Sequence, residues 1–184
     1  MNPAVVVIGV GNPYRRDDGV GPAVIQRLRS AGLPETTLAE SDGEACALIM
    51  LWERRPLAVL VDAIHAQPAH PGRIHRLVAS CPAPERAGTT SSHTIDMGEA
   101  VALARELDRL PDRMIVYGIE VADTDFGTGL TPAVARAADQ AAEEIAAEVR
   151  AHLSPERRSA GAEGASLPPA GSPSWCADPA QQVP

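Results

Sequence analysis

Apolar residues along the chain fall into two kinds of run. Val5-Val6-Val7-Ile8 and Leu57 to Val61 are continuous and rich in β-branched side chains, the mark of strands buried on both faces. Val20, Val24, Ile25 and Leu28 recur at helical spacing, and the helix they predict is closed by Gly32 and barred from continuing by Pro34. Thr36 to Ala39 reads as a weak strand, Glu44 to Trp52 as a short helix. Arg73 to Val78 reads as a less apolar strand, nearer a sheet edge. Met97, Val101, Ala104 and Leu107 predict a further helix, stopped by Pro111, and Met114 to Ile119 a further strand. In the last helix Thr131 is a good N-cap, and Pro132 falls at the first helical position, where its missing N–H costs nothing. Val134, Ala138, Ala141, Ile145 and Val149 line one face of that helix, with Glu143, Glu144 and Glu148 off it.

Strands alternating with helices imply an α/β fold, a mostly parallel sheet covered on both faces. Ligands of such folds bind at the carboxyl ends of the strands, so candidate chemistry is sought just after each strand.

The chain has 184 residues, which suits one domain of ordinary size. Composition shifts near Ser154. Residues 154–184 are rich in Pro, Gly, Ala and Ser and are expected to form a disordered tail on a domain of residues 1–153. No apolar run approaches the length of a membrane span, and Val5 to Val10 follows Met1 without the basic residues of a secretory signal. The net charge of −8 argues against nucleic acid or an anionic membrane as partner. Cys46, Cys81 and Cys176 are widely spaced, with no CxxC pair. That pattern suits a reducing cytoplasm and not a disulfide framework or a cysteine-rich zinc site. Nothing in the sequence fixes the oligomeric state, and a monomer is the simplest expectation.

The first strand is followed by Gly9-Val10-Gly11-Asn12-Pro13-Tyr14-Arg15-Arg16-Asp17-Asp18-Gly19-Val20-Gly21. A dinucleotide fingerprint is disfavoured here. Its third glycine would fall at Tyr14, and Asp17 and Asp18 place negative charge where a pyrophosphate would sit. Paired carboxylates suit a cation better. One of them, Asp17, is expected to cap the helix, which leaves Asp18 as a candidate ligand. Asp62 closes the second buried strand and is either a ligand or a loop aspartate bonding nearby backbone. His65 and His70 lie in a Pro/Ala-rich loop, His75 within a strand and His152 at a helix end, and all four read as structural or solvated. His93 lies in a small polar run that leads into a helix. Two carboxylates and one imidazole make a three-ligand set with open positions, suited to nickel, zinc or manganese.

Gly9-Val10-Gly11-Asn12 with Asp17-Asp18-Gly19-Val20-Gly21, then Val61-Asp62-Ala63, then Ser92-His93-Thr94, resembles the hydrogenase maturation protease family. The resemblance runs from about Val5 to Leu153. It implies a three-layer α-β-α fold around a twisted, mostly parallel five-stranded sheet with helices on both faces. It also implies an endopeptidase that trims the large-subunit precursor of a nickel–iron hydrogenase. The family's nickel-recognition ligands match Asp18, Asp62 and His93, with the nickel supplied by the substrate and no tightly bound organic cofactor. The family's first-loop ligand is often glutamate, one methylene longer than Asp18. Its Asp-Gly-Gly-Thr-like turn, thought to help choose the substrate, corresponds to Ser41-Asp42-Gly43-Glu44-Ala45. Asp42 and Gly43 match there, and the following Gly-Thr does not.

The resemblance leaves open which group activates water. A metal-polarised water is one candidate, and Asp18 or Asp62 as general base is another. There is no GxSxG elbow and no HExxH. Two other classes compete: a scaffold that holds the large subunit without cutting it, and a dinucleotide-binding oxidoreductase.

Overall fold

A computed structural model describes residues 3–79 and 94–154. The sheet is formed by β1 (Val5–Val10), β2 (Thr36–Ser41), β3 (Leu57–Ile64), β4 (Ile74–Ala79) and β5 (Met114–Glu120). Their spatial order is β2-β1-β3-β5-β4, with only β4 antiparallel to its neighbour. The helices are α1 (Val20–Arg29), α2 (Ala45–Trp52), α3 (Thr94–Glu106) and α4 (Pro132–Leu153). Met1–Ala151 forms one compact unit. The tail expected from residue 154 onward lies, past Ser154, outside the described residues.

Periodicity within the strands sorts side chains to two cores. Val6, Ile8 and Val10 of β1 share one face with Ala58 and Leu60 of β3 and Met114 of β5. That face packs on Leu48, Ile49 and Trp52 of α2 and on Ala100, Val101 and Ala104 of α3. The alternate residues, among them Val5, Val7, Val59, Val61, Ile115 and Tyr117, are buried on the opposite face. Here α1 lies against β1, β2 and β3. Its Gly21 comes so close that an added Cβ would stand 2.2 Å from the Val10 carbonyl oxygen and 2.7 Å from that of Val61. Arg27 of α1 pairs with Asp139 of α4, and Glu148 of α4 pairs with Arg76 and Arg113, so α4 shares this layer. All five residues expected on the apolar stripe of α4 are buried.

Edges and ends follow the same logic. β4 is an edge strand, as its less apolar composition predicts, with Leu77 58% exposed. β3 extends through Ile64, so Asp62 lies inside the strand, opposite Gly118 of β5, and does not close it as expected. The chain leaves β1 toward β2 on one side, while β3 lies on the other. The crevice between the carboxyl ends of β1 and β3 is therefore the topological switch point, where open α/β sheets bind ligands. Among the described residues no helix is long and apolar enough to cross a membrane.

Candidate functional site at the switch point

The segment after β1 is a built structure. Gly11 has φ +132°, and a Cβ there would stand 2.0 Å from the carbonyl oxygen of Asp18, so the start and end of the loop close on each other. Residues Arg16–Gly19 form a short 3-10 turn that packs against β3. Asp18 is 6% exposed, and its Oδ2 accepts the Asn12 N–H at 3.0 Å. Asp62 is 1% exposed, and its Oδ1 accepts the N–H of Ala63 at 2.9 Å. Both carboxylates thus sit at the switch point, one in the turn after β1 and one near the end of β3. Burial of a charge is costly unless donors stabilise it, and two such acids at the switch point make it the candidate site. His93 immediately precedes α3 and lies outside the described residues. Among the described residues no three His, Cys, Asp or Glu side chains cluster to hold a metal.

Asp17 does not cap α1. The residue before that helix is Gly19, and no side chain caps it. The Asp17 carboxylate turns instead to the loop between β5 and α4. Its Oδ1 accepts the Thr131 N–H at 2.6 Å, and its Oδ2 accepts the Thr131 hydroxyl at 3.0 Å and the N–H groups of Asp123 and Ala122 at 3.2 and 3.3 Å. Main-chain bonds join the same two loops: Asp17 N–H to Asp123 O, Arg16 N–H to Gly127 O, and Gly127 N–H to Tyr14 O. Arg16, at φ +46°, holds a backbone conformation that non-glycine residues rarely adopt.

After β2, Ser41 Oγ accepts the Gly43 N–H at 3.1 Å and Asp42 Oδ1 accepts the Glu44 N–H at 3.2 Å. Glu44 is not the first helical residue but the N-cap of α2, its carboxylate accepting from Cys46 N and Ala47 N. Those two N–H groups hold Glu44 below the usual carboxylate range. The same carboxylate pushes the Cys46 thiol up, so this exposed cysteine stays protonated at neutral pH and is a poor nucleophile. A cleft of about 720 Å³ between this turn and the first loop is lined by Gly11, Pro13, Ser41, Asp42, Met50 and Leu51. It joins the Asp42-Gly43 turn to the loop that carries Asp18.

One buried acid escaped the sequence reading. Glu120, the last residue of β5, is 1% exposed, and its carboxylate accepts the His70 N–H at 2.6 Å and lies 2.7 Å from His75 Nε2. Its place directly after Ile119, at the end of β5, is the same strand-end signal that marks the candidates after β1 and β3. His75 and His70 thus serve the packing of this carboxylate, in keeping with their reading as structural residues.

Fold and site together define a three-layer α/β protein with an acidic centre at the carboxyl edge of its sheet. The family model described as hydrogenase maturation protease matches residues 23–148, more than half of the chain, and the protein belongs to that family. It is 27% identical over 150 residues to the hydrogenase expression/formation protein HupD of Rhodobacter capsulatus, covering 80% of this chain and 71% of that one. It is 22% identical over 148 residues to the hydrogenase 2 maturation protease of Escherichia coli, covering 79% and 90%. Its fold matches that of the hydrogenase maturating endopeptidase HybD from E. coli with a TM-score of 0.68 at 21% identity, over 81% of this chain and 93% of the other.

Proposed function

We propose that the protein removes a C-terminal peptide from the nickel-loaded large-subunit precursor of a nickel–iron hydrogenase. In this reading Asp18, Asp62 and His93 complete the coordination of a nickel ion that arrives with the substrate, and so report whether loading has occurred. The observation that carries the reading is the pair of buried carboxylates on neighbouring strand ends, Asp18 after β1 and Asp62 in β3. Oxygen donors with one imidazole favour a borderline divalent cation, and a set of three leaves positions for the substrate's own ligands. Hydrolysis adds water across the scissile amide: the C–N bond breaks, and the proton lost by the attacking water is returned to the leaving amine. Asp18 and Asp62 are the described groups suited to receive that proton. The cleft beside Asp42 and Gly43 takes the substrate segment that distinguishes one precursor from another. The reaction is placed in the cytoplasm, and the metal dependence belongs to the substrate.

The test mixes the purified protein with nickel-loaded and nickel-free precursor and follows precursor mass over time. Loss of a C-terminal peptide from the loaded form alone is the expected result. Binding of the loaded form with no change of mass would replace the protease reading with the scaffold.

A further inference from the structure

We propose that Asp17 is a positioning residue, which sets the Asp18 carboxylate by clamping the first loop to the β5–α4 loop. The inference rests on the reading of Asp18 as a member of the site. A carboxylate that only capped a helix would bond within its own turn. Asp17 bonds across more than a hundred positions of sequence, to Ala122, Asp123 and Thr131, and is fully buried in doing so. All four bonds run to one carboxylate as acceptor, an arrangement that an amide cannot reproduce, because one of its two ends is itself a donor.

The clamp reaches Asp18 through rigid covalent and hydrogen-bonded links. Asp18 follows Asp17 directly, its N–H donates to Arg15 O, and its carboxylate receives the Asn12 N–H. Arg15 and Arg16, between those contacts, are tied to the far loop by Arg15 Nε to Thr124 O, Arg16 Nη1 to Asp123 Oδ2 and Arg16 N–H to Gly127 O. The left-handed φ of Arg16 persists because these bonds over-determine it. Releasing Asp17 frees the turn to relax at Arg16, and that moves the Asp18 side chain relative to Asp62 on β3. The paired acids therefore divide the work: Asp18 faces the site, and Asp17 holds it there.

The test measures kcat and KM for precursor processing by Asp17→Asn, Thr131→Ala and Thr131→Ser, with amide hydrogen exchange of Asn12 followed by NMR. Misplacing a reacting group by about 1 Å costs on the order of 100-fold in rate, and that is the expected fall in kcat for Asp17→Asn, with KM within about twofold. Asn12 exchange should accelerate, since its N–H reports the place of the Asp18 carboxylate. Thr131→Ala, which deletes a single hydroxyl donor, should show a smaller fall of the same kind, and Thr131→Ser should restore kcat. Wild-type kcat in Asp17→Asn would overturn the proposal, as would a loss that merely follows the unfolded fraction while Asn12 stays protected. If the wild-type protein cuts no precursor, the protease reading fails, and Asn12 exchange still decides the positioning role.

Discussion

His75 Nε2 and Glu120 Oε1 stand 2.7 Å apart across the β4–β5 pairing, at the one place where the antiparallel edge strand meets the carboxyl edge of the sheet. The contact joins two elements whose directions oppose. It also fixes the chain between β3 and β4, because the second oxygen of Glu120 receives the His70 N–H and its backbone carbonyl receives that of Gly72. His75, foremost, and the His70 N–H hold Glu120 below the usual carboxylate range, against the opposing effect of its burial.

A pH dependence of stability follows, and its sign is fixed by that direction. A carboxyl whose folded-state pKa is depressed binds its proton more readily when unfolded. Its stabilising contribution is therefore complete above the unfolded value of about 4.3 and is lost as pH falls below it, through the lowered folded value. Urea midpoints measured from pH 7 to pH 3 should decline in the acid limb, and Glu120→Gln should flatten that decline. At neutral pH the same variant should cost about 1–3 kcal/mol, the usual range for disturbing a buried hydrogen-bonded acceptor. Parallel acid limbs for the two proteins would contradict the assignment.

Two glycines give opposite expectations from the same substitution. At Gly21 a methyl would meet backbone atoms of both β1 and β3, and backbone yields little, so Gly21→Ala should cost about 3 kcal/mol or more or prevent folding. Gly98 lies within α3 with no atom within 4 Å of an added Cβ. Gly98→Ala should therefore stabilise by about 0.5–1 kcal/mol through helix propensity alone. Thermal unfolding of the two variants checks both, and equal shifts would refute the close approach of α1 to the sheet.

The elements most plainly written in the chain are those whose burial is symmetrical. Val5 to Val10 and Leu57 to Val61 are apolar at successive positions because both sheet faces are covered, so they read as strands without reference to anything distant. The direction of β4 has no such signature, since Ile74 to Ala79 would carry the same side chains running either way. The two acids after β1 were legible as a pair and illegible as individuals. Asp17 before a helix has every local feature of a cap, and its partners come from Ala122 to Thr131, which only the closed sheet brings near. Asp18 and Asp62 stand out as candidates because strand ends are where such folds place their chemistry, whereas Asp42 is marked only by the resemblance to the family's turn.

Truncation after Ser154 tests the reading of residues 154–184 as a solvated tail. A segment that buries no apolar surface contributes nothing to the unfolding free energy of the domain, so the melting temperature should stay within about 2 °C of the full chain. A larger drop would show that the tail packs on the domain, and Trp175 would then be its first candidate anchor.

The roles of the two site carboxylates separate by charge and by length. Asp62→Asn and Asp18→Asn keep the shape of the side chain and remove its negative charge, and with it the proposed capacity to ligate the substrate's metal or to accept a proton. Each should lower precursor processing by about 100-fold or more. Asp18→Glu keeps the charge and adds one methylene, the length that the family often has at this position. It should process better than Asp18→Asn and less well than the wild type, because the charge is kept while the carboxylate moves by one methylene in the turn after β1. Single-turnover assays on the nickel-loaded precursor, alongside urea unfolding to show that each variant is folded, distinguish these cases. If Asp18→Glu fell as far as Asp18→Asn, the position of the carboxylate, held by the bond from the Asn12 N–H, would be as necessary to the reaction as its charge.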